Sequence, residues 1–372
     1  MKKFGSLLMS TLLCASLLAG CSSSASVSQS TVPETISTAE GAIETGSEEV
    51  SLEEMTAAKT ETSTEALEES SDDTVVRVGG LKGPTTMGLV KLMDDAKNGT
   101  AANNYEFTMV TAADELTGLV ASGKIDIALL PANVASVLYH KTEGKVSVID
   151  INTLGVLYLV SGDSSISSIE NLSGKTVYLP GKGTTPEYVL RYLISASGLS
   201  GEAVTLEFKS EASEVAAVLA EDPNAIGLLP QPFVTAACAQ NDALSVILDM
   251  NAEWEKLQGE DGSRLVTGVT VVRNEFLQEH ENAVAAFMEE HQASAQSMNS
   301  DVENGAKLAA ASGIIAKEPI ALKAIPKCNI TYIDGADMKQ AMSGYLEVLY
   351  EQNPESIGGA LPGDDFYYVP QK

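Results

Sequence analysis

Residues 175–198 have the sequence KTVYLPGKGTTPEYVLRYLISASG, in which a β-branched and aromatic run is followed by a glycine-rich turn and an amphipathic stretch that ends at Gly198. Residues 75–97, VVRVGGLKGPTTMGLVKLMDDAK, follow the same order. After residues 75–97, strand-like and helix-like segments continue to alternate along the chain. The pattern restarts around Ser161 and leads into residues 175–198. Because this alternation is typical of strand–helix–strand units, it predicts an α/β fold with parallel strands, built as two successive blocks.

The segments after the second block predict that the chain returns to the first. Residues 264–273, RLVTGVTVVR, are strand-like, and the rest of the chain is mainly helical. We therefore expect two lobes joined by two crossovers, with residues 75–160 and 265–372 in one lobe and residues 161–264 in the other. Loops from the carboxyl ends of the strands would meet between these lobes, which is where such sheets bind ligands. The sequence thus predicts a central cleft.

The first residues predict an export signal. Two lysines precede an apolar run at residues 4–18, which is the pattern of a secretory signal and is short for a membrane span. The tetrapeptide LAGC that ends at Cys21 resembles the lipobox of bacterial lipoproteins. The resemblance implies that residues 1–20 are a signal peptide and that a lipid on Cys21 anchors the protein to the extracytoplasmic face of the cell membrane. An ordinary secretory signal with an incidental cysteine is the alternative.

Residues 21–74 have a different composition from the rest of the chain. They are rich in Ser, Thr and Glu, and residues 22–74 contain 13 acidic residues, one basic residue, Lys59, and no aromatic residue. Such a segment buries too little apolar surface to offset the entropy lost on ordering. We expect it to be a disordered acidic tether between the lipid anchor and the lobes.

Charge and composition exclude several classes of function. The 372 residues carry a formal net charge of −28, which disfavours nucleic acid and anionic membrane surfaces as partners. After removal of a signal peptide, Cys238 and Cys328 remain, either as one disulfide or as two thiols. The three histidines, His140, His280 and His291, lie in helical segments and are predicted to be solvated, so neither a metal site nor a cofactor is expected. With no G-x-S-x-G motif and no acid/base cluster, the sequence does not predict an enzyme.

Four segments carry a resemblance to a known family: GGLKGPTTMG at residues 79–88, GKIDIALLPANVAS at 123–136, the stretch at 167–199 that contains the second turn, and LVTGVTVVRNEFLQEHENAVAAFMEEH at 265–291. Their order and spacing resemble the type II periplasmic binding proteins of ABC importers, in particular the nitrate/sulfonate/taurine and thiamine-precursor group. The resemblance implies a monomer that captures a small organic solute, sulfonate-, carboxylate- or pyrimidine-like, and delivers it to an ABC permease and ATPase.

The two glycine-rich turns are the predicted ligand-binding elements. Each follows a strand and begins a helix, so its backbone N–H groups and threonine hydroxyls are available to an acceptor. Two further strands end in LPAN and LPQP, which would place an amide side chain at the rim of the cleft. The predicted ligand-binding residues are Lys82, Gly83, Pro84, Thr85, Thr86, Asn133, Lys182, Gly183, Thr184, Thr185 and Gln231. The alternative is that these turns are ordinary helix caps and that the prolines merely end strands.

Two features limit the functional prediction. The turns offer only Lys82 and Lys182 as cations, whereas members of the group that bind inorganic anions or sulfonates often add cationic side chains, so a strongly anionic ligand is less favoured. The same lobed architecture also occurs in thiamine-pyrimidine synthases and menaquinone-pathway dehydratases. An enzyme on this fold and a surface sensor lipoprotein therefore stay open as alternatives.

Overall fold

Two β-sheets organise residues 74–259 and 262–370, which are the residues that the computed structural model describes. The predicted signal peptide, the lipidation site Cys21 and the tether up to residue 73 lie outside them. Eleven strands are formed within the described ranges: β1 (Val75–Leu81), β2 (Asn104–Val110), β3 (Ile127–Pro131), β4 (Val146–Leu154), β5 (Leu157–Ser161), β6 (Thr176–Pro180), β7 (Thr205–Lys209), β8 (Ile226–Pro230), β9 (Ser245–Asp249), β10 (Val266–Arg273) and β11 (Ile330–Asp334).

Twelve α-helices accompany these strands in the described ranges: α1 (Val90–Lys97), α2 (Ala113–Ala121), α3 (Ala132–Lys141), α4 (Thr185–Ala196), α5 (Ala212–Glu221), α6 (Phe233–Gln240), α7 (Met250–Gln258), α8 (Asn274–Glu279), α9 (Glu281–Ser300), α10 (Val302–Ala311), α11 (Glu318–Ala324) and α12 (Gly335–Gln352). Short 3₁₀ helices cover Pro84–Leu89, Ile169–Leu172, Ile325–Lys327, Pro354–Ile357 and Asp364–Phe366. Of the helices in the described residues, none is long and apolar enough to cross a bilayer.

The two sheets share one topology over five strands, and the first sheet has β11 as an additional edge strand. The first has the order β11-β4-β10-β3-β1-β2, and the second has the order β7-β6-β8-β5-β9. In the first, β1 is parallel to β2 and β3, whereas β10 is antiparallel to β3 and β4. In the second, β6 is parallel to β7 and β8, whereas β5 is antiparallel to β8 and β9. Each sheet is thus completed by one strand that arrives from the other block.

The first change of sheet comes earlier in the chain than the sequence predicts. Strand β4 ends at Leu154 in the first sheet, and β5 begins at Leu157 in the second. Residues 157–160, which the sequence assigns to the first lobe, therefore pair within the second sheet. The chain returns through α7 and re-enters the first sheet at Val266.

Strand β3 shows why this sequence forms a sheet that is covered on both faces. Ile127, Ala128, Leu129 and Leu130 are all fully buried. Successive side chains of a strand point to opposite faces, and here Ile127 and Leu129 pack in one apolar cluster while Ala128 and Leu130 pack in another. A continuous apolar run in place of alternation is the expected pattern for such a strand.

Helix α12 connects the two halves of the core. It follows β11 of the first sheet but packs on α4, and its Tyr345 contacts Trp254 of α7; both of these helices belong to the second block. The only tryptophan of the chain, Trp254 of α7, is fully buried there, with its ring centroid 5.6 Å from that of Tyr345 and 4.6 Å from that of Tyr192. Its indole N–H donates to the carbonyl of Ser263 over 3.1 Å. Trp254 is therefore a packing residue.

The structure shows the bonding state of the two cysteines and the burial of one histidine. Cys238 and Cys328 are both free thiols, so the disulfide alternative is excluded. Burial raises the pKa of the Cys328 thiol to about 12. The prediction that His291 lies on a solvated helix face is wrong, because its side chain is fully buried beside Asp150. The face of α9 that carries His291 is mainly apolar. It is buried because the first sheet and the 3₁₀ helix Pro84–Leu89 pack against it.

Candidate functional site

The first glycine-rich turn leads into the 3₁₀ helix Pro84–Leu89, and α1 starts only at Val90. The N–H of Lys82 donates to the carbonyl of Val110 over 2.9 Å, and the N–H of Gly83 donates to that of Leu81 over 2.8 Å. Two amides that the sequence predicts to be free for a ligand are thus bonded within the fold. Lys82 itself is exposed.

The threonine hydroxyls of this turn differ from its amides. Thr85 and Thr86 are 5% and 0% exposed, and neither hydroxyl has a hydrogen-bond partner among the described residues. Thr85 packs over Gly268 of β10, where a Cβ atom would lie 2.7 Å from Thr85 Cγ2 and 2.4 Å from the side-chain oxygen of Asn152. Glycine at this position makes room for Thr85. A buried hydroxyl without a partner costs stability, which makes Thr85 a candidate for a contact that only a bound molecule completes.

The second turn is closed by its own side chains. Gly181 and Gly183 take the left-handed backbone conformation, with φ of 65° and 76°, and Thr184 precedes the first residue of α4. The N–H of Gly183 donates to Glu187 Oε2 over 2.7 Å, and Arg191 Nε donates to Glu187 Oε1 over 2.8 Å. Glu187 is 7% exposed. A carboxylate of the chain therefore lies where an external anion would bind to this helix end.

The remaining polar groups of the second turn are also engaged. The hydroxyl of Thr184 donates to the carbonyl of Gly181 over 2.5 Å. Lys182 Nζ lies 5.8 Å from the ring centroid of Phe208, at cation–π distance. These contacts agree with the reading of this turn as a helix cap, and they leave Thr185 as the residue of the turn that contacts the other sheet.

Asn133 and Thr185 meet although they follow strands of different sheets. Asn133 lies in the first turn of α3, directly after β3, and its Oδ1 accepts a hydrogen bond of 3.4 Å from the hydroxyl of Thr185. Thr185 is also hydrogen-bonded to Tyr345 of α12; burial raises the pKa of the Tyr345 phenol, and the bond to Thr185 opposes that shift. The fold therefore brings the predicted rim residue Asn133 into contact with Thr185 of the second turn.

The first turn borders the same corner of the fold. Thr85 packs on Gly268, and Gly268 pairs with Pro131 at the end of β3, two residues before Asn133. The carboxyl end of β3 is thus adjacent to the first turn on one side and to the second turn on the other. We call the four residues Thr85, Asn133, Thr185 and Gln231, each of which follows the carboxyl end of a strand, the strand-end corner.

Gln231 follows β8 and adjoins the crossover between the sheets. Its N–H donates to the carbonyl of Val156 over 3.0 Å, and its peptide bond to Pro232 is cis. The side chain is fully buried. Its Oε1 accepts hydrogen bonds from Thr235, whereas Nε2 has no partner among the described residues. Like the hydroxyl of Thr85, this amide is a buried donor whose hydrogen bond the described residues leave unmade.

A buried polar network beneath the first turn is the feature that the sequence did not reveal. Thr270 Oγ1 donates to Asp150 Oδ1 over 2.8 Å and accepts from Asn152 Nδ2 over 3.2 Å. Asn152 Oδ1 accepts from Thr153 Oγ1 over 2.9 Å, and His291 Nδ1 lies 3.2 Å from Asp150 Oδ2. The available signal was the alternation of polar residues within the apolar segment SVIDINTL, residues 147–154. The network holds β4 and β10 together beside Thr85.

A second charged cluster lies at the opposite end of β3. The Asp126 side chain is fully buried, with Oδ2 2.7 Å from Arg77 Nε, and Oδ1 2.6 Å from Arg77 Nη2 and 2.9 Å from Arg273 Nη2. Burial alone would raise the pKa of Asp126, but the hydrogen bonds from Arg77 and Arg273 outweigh it and hold the pKa below its ordinary value. Both carboxylate oxygens are satisfied there, whereas Arg273 Nε has no partner among the described residues. The full pairing of the carboxylate is what we expect of a structural cluster.

The comparisons with known proteins agree with this fold. An ABC transporter from Parabacteroides distasonis is 25% identical, with a TM-score of 0.67 over 80% of this chain and 99% of that chain. The periplasmic aliphatic sulphonate binding protein SsuA from Escherichia coli is 14% identical, with a TM-score of 0.63 over 80% and 93%. The alkanesulfonate-binding protein SsuA from Xanthomonas axonopodis pv. citri, bound to MOPS, is 14% identical, with a TM-score of 0.56 over 78% and 94%.

These neighbours are two-lobed periplasmic binding proteins, so the predicted α/β fold class and the predicted resemblance are confirmed. The comparison with curated proteins returned no match. Residues 106–304 match the model of the NMT1/THI5-like family. Because that match covers more than half of the chain, the protein belongs to the NMT1/THI5-like family.

Proposed function

We propose that this protein is an extracytoplasmic solute-binding protein that captures a small organic solute at the strand-end corner and delivers it to an ABC importer. The observation that carries the proposal is the hydrogen bond between Asn133 and Thr185, which follow strands of different sheets, taken together with the buried and unpartnered polar groups of Thr85 and Gln231. Family membership and the fold of the structural neighbours support it. No bond of the solute is made or broken in this function.

The polar groups of the corner favour a solute with hydrogen-bond acceptors. The Gln231 amide and the Thr85 hydroxyl are neutral donors, and the helix end at Gly183 already holds the carboxylate of Glu187. Sulfonate-, carboxylate- and pyrimidine-like solutes all present acceptor oxygens or ring nitrogens. We expect such a group to be held by Thr85 and Gln231, with the other predicted residues of the two turns forming the surrounding wall.

Capture would proceed by closure of the lobes. The crossovers between β4 and β5 and between α7 and β10 are the two points at which the chain changes sheet, so a hinge there would separate Asn133 from Thr185. A solute that contacts both halves binds the closed state better and shifts the population toward it. The cysteine at position 21 would carry the lipid anchor, and residues 21–74 would let the monomer reach its permease and ATPase.

A thermal-shift screen tests the proposal. Taurine, ethanesulfonate, MOPS, short carboxylates, cytosine and related pyrimidines are added singly to residues 75–372. At least one solute is expected to raise the melting temperature, because a ligand that binds only the folded state stabilises it by RT ln(1 + [L]/Kd). The same solute should reduce the radius of gyration in small-angle scattering. No shift with any solute would contradict the function.

A further inference from the structure

The orientation of the Gln231 amide is fixed by one residue of α6. Gln231 Oε1 accepts a hydrogen bond of 2.8 Å from the hydroxyl of Thr235 and one of 3.3 Å from its backbone N–H. Both donors belong to Thr235, which lies one helical turn further along the chain and is 7% exposed. The two acceptor directions of the amide oxygen are therefore occupied from the same side.

A reversed amide would not fit this environment. It would place the –NH₂ group of Gln231 against the backbone N–H of Thr235, which can only donate. The hydroxyl of Thr235 would have to turn into an acceptor, and the carbonyl oxygen would face the direction in which the described residues offer no partner. The observed hydrogen bonds thus assign the oxygen to the Thr235 side and leave two N–H donors on the other side.

The unused donors belong to a residue that adjoins the crossover between the sheets. Gln231 is fully buried, its backbone N–H is bonded to Val156 in the crossover, and β8 ends one residue before it. We infer that separation of the two sheets at this crossover exposes Nε2 and that closure buries it again. The –NH₂ group of Gln231 is therefore suited to bind a solute that enters while the cleft is open.

We propose that Thr235 is a positioning residue that orients Gln231 so that its two N–H donors face an acceptor atom of the bound solute. The inference rests on the proposed function and narrows its ligand. The solute presents an oxygen or an unprotonated ring nitrogen at Gln231, and a solute that presents an ammonium or amino group at this point is rejected. Thr235 acts through Gln231 and does not itself contact the solute.

The matched variants Thr235→Val and Thr235→Ser separate this role from packing. Valine keeps the shape and removes the hydroxyl, whereas serine keeps the hydroxyl. The probes are ethanesulfonate and cytosine. For whichever of them binds, T235V is expected to raise the Kd by about tenfold, because one oriented hydrogen bond is lost. T235S, which keeps the hydroxyl, is expected to raise the Kd by less than about twofold. In a Gln231→Met background, T235V is expected to have no further effect. Equal binding by T235V and the wild type would overturn the proposal, as would an equal loss in the Gln231→Met background.

A solute-free measurement distinguishes failure of this inference from failure of the proposed function. The side-chain amide signals of Gln231 in ¹H–¹⁵N spectra are identified as the pair that Gln231→Met lacks. We expect the pair to shift and broaden in T235V and to keep its position in T235S. An unchanged pair in T235V overturns the positioning role. A shifted pair together with no binding of either probe to the wild type keeps the orientation by Thr235 and counts against the solute-binding function instead.

Discussion

The two ends of β3 carry opposite kinds of polar chemistry. At its amino end, both oxygens of the buried Asp126 carboxylate are bonded to Arg77 or Arg273. At its carboxyl end, Thr85 is equally inaccessible to solvent, but its hydroxyl has no partner in the described ranges. Buried polar groups are normally paired, and the carboxylate at the first end is fully paired although Arg273 Nε beside it has no partner in the described ranges. We therefore assign a structural role to the first end and propose that a bound solute completes the second. The predictions below test this contrast.

The largest expected effect is at the amino end. Asp126→Ala leaves two arginines without their buried partner, and we expect it to lower the free energy of unfolding by about 3–5 kcal/mol. Urea unfolding followed by circular dichroism measures this. Glu275→Gln is the control: Glu275 is an exposed partner of Arg273, and its loss should cost less than about 0.5 kcal/mol. Equal effects of the two variants would contradict the structural role of Asp126.

Gly268→Ala should disturb the carboxyl end. The new methyl group would collide with Thr85 and with the Asn152 side chain, so we expect a loss of about 1–3 kcal/mol in unfolding free energy. Gly118→Ala on α2 is the matched control, since nothing lies within 4 Å of its Cβ position, and it should leave stability unchanged or raise it. A neutral Gly268→Ala would mean that Thr85 is not packed against β10 as described.

Thr85→Val separates binding from stability at the same corner. Because the buried hydroxyl has no partner in the described residues, its removal should leave the free energy of unfolding unchanged or raise it, while it weakens solute binding by about tenfold. Calorimetric titration with the solute that gives the largest thermal shift measures both Kd and enthalpy. Thr117→Val on α2, which removes a hydroxyl bonded within its own helix, should leave Kd unchanged. A Thr85→Val protein that binds like the wild type would remove Thr85 from the site.

Two glutamates with the same local contact sharpen the comparison further. Glu187 bonds the N–H of Gly183, and Glu214 bonds that of Ser210 at the start of α5. Replacement of either by Ala should cost about 1 kcal/mol in unfolding free energy, as for other helix caps. Only Glu187→Ala should also change the response to ethanesulfonate in the thermal-shift assay, by making the helix end available to an anion. Identical responses would show that the second turn is a cap without influence on ligand choice.

Asp126, at the amino end of β3, should also contribute to the loss of stability at low pH. The pKa of Asp126 is lower in the folded state than its ordinary value of 3.8, so its contribution is complete above that value and is lost as the pH falls below it through the folded pKa. Melting temperatures of the wild type should therefore decrease more steeply below about pH 4 than those of Asp126→Ala. Parallel pH profiles would contradict the pairing of Asp126.

Part of this architecture follows from local sequence. The apolar run of β3 and the repeated strand–turn–helix order depend on side-chain periodicity over a few residues, and both predicted sheets are present. The assignment of residues 157–160 to the first lobe failed because pairing of β5 with β8 and β9 depends on residues that are far away in the chain. The burial of His291 was missed for the same reason, since its partner Asp150 is 141 residues away.

The candidate site was only partly predictable. The pattern located both turns, but it did not reveal that Glu187 would occupy the second one, because a glutamate in the first turn of a helix can equally face solvent. The orientation of Gln231 depends on the hydroxyl of Thr235 one helical turn away, and the pairing of Asp126 with Arg273 joins residues 147 apart. Three-dimensional contacts of this kind decide which polar groups are left free to bind a ligand.

The central claim is that the strand-end corner completes its hydrogen bonds with a bound solute. The most direct test is a thermal-shift screen of the wild type beside the double variant Thr85→Val and Gln231→Met, with every solute at the same concentration. At least one solute should raise the melting temperature of the wild type and leave that of the double variant unchanged. An equal rise in both proteins would place the binding site elsewhere and contradict the account.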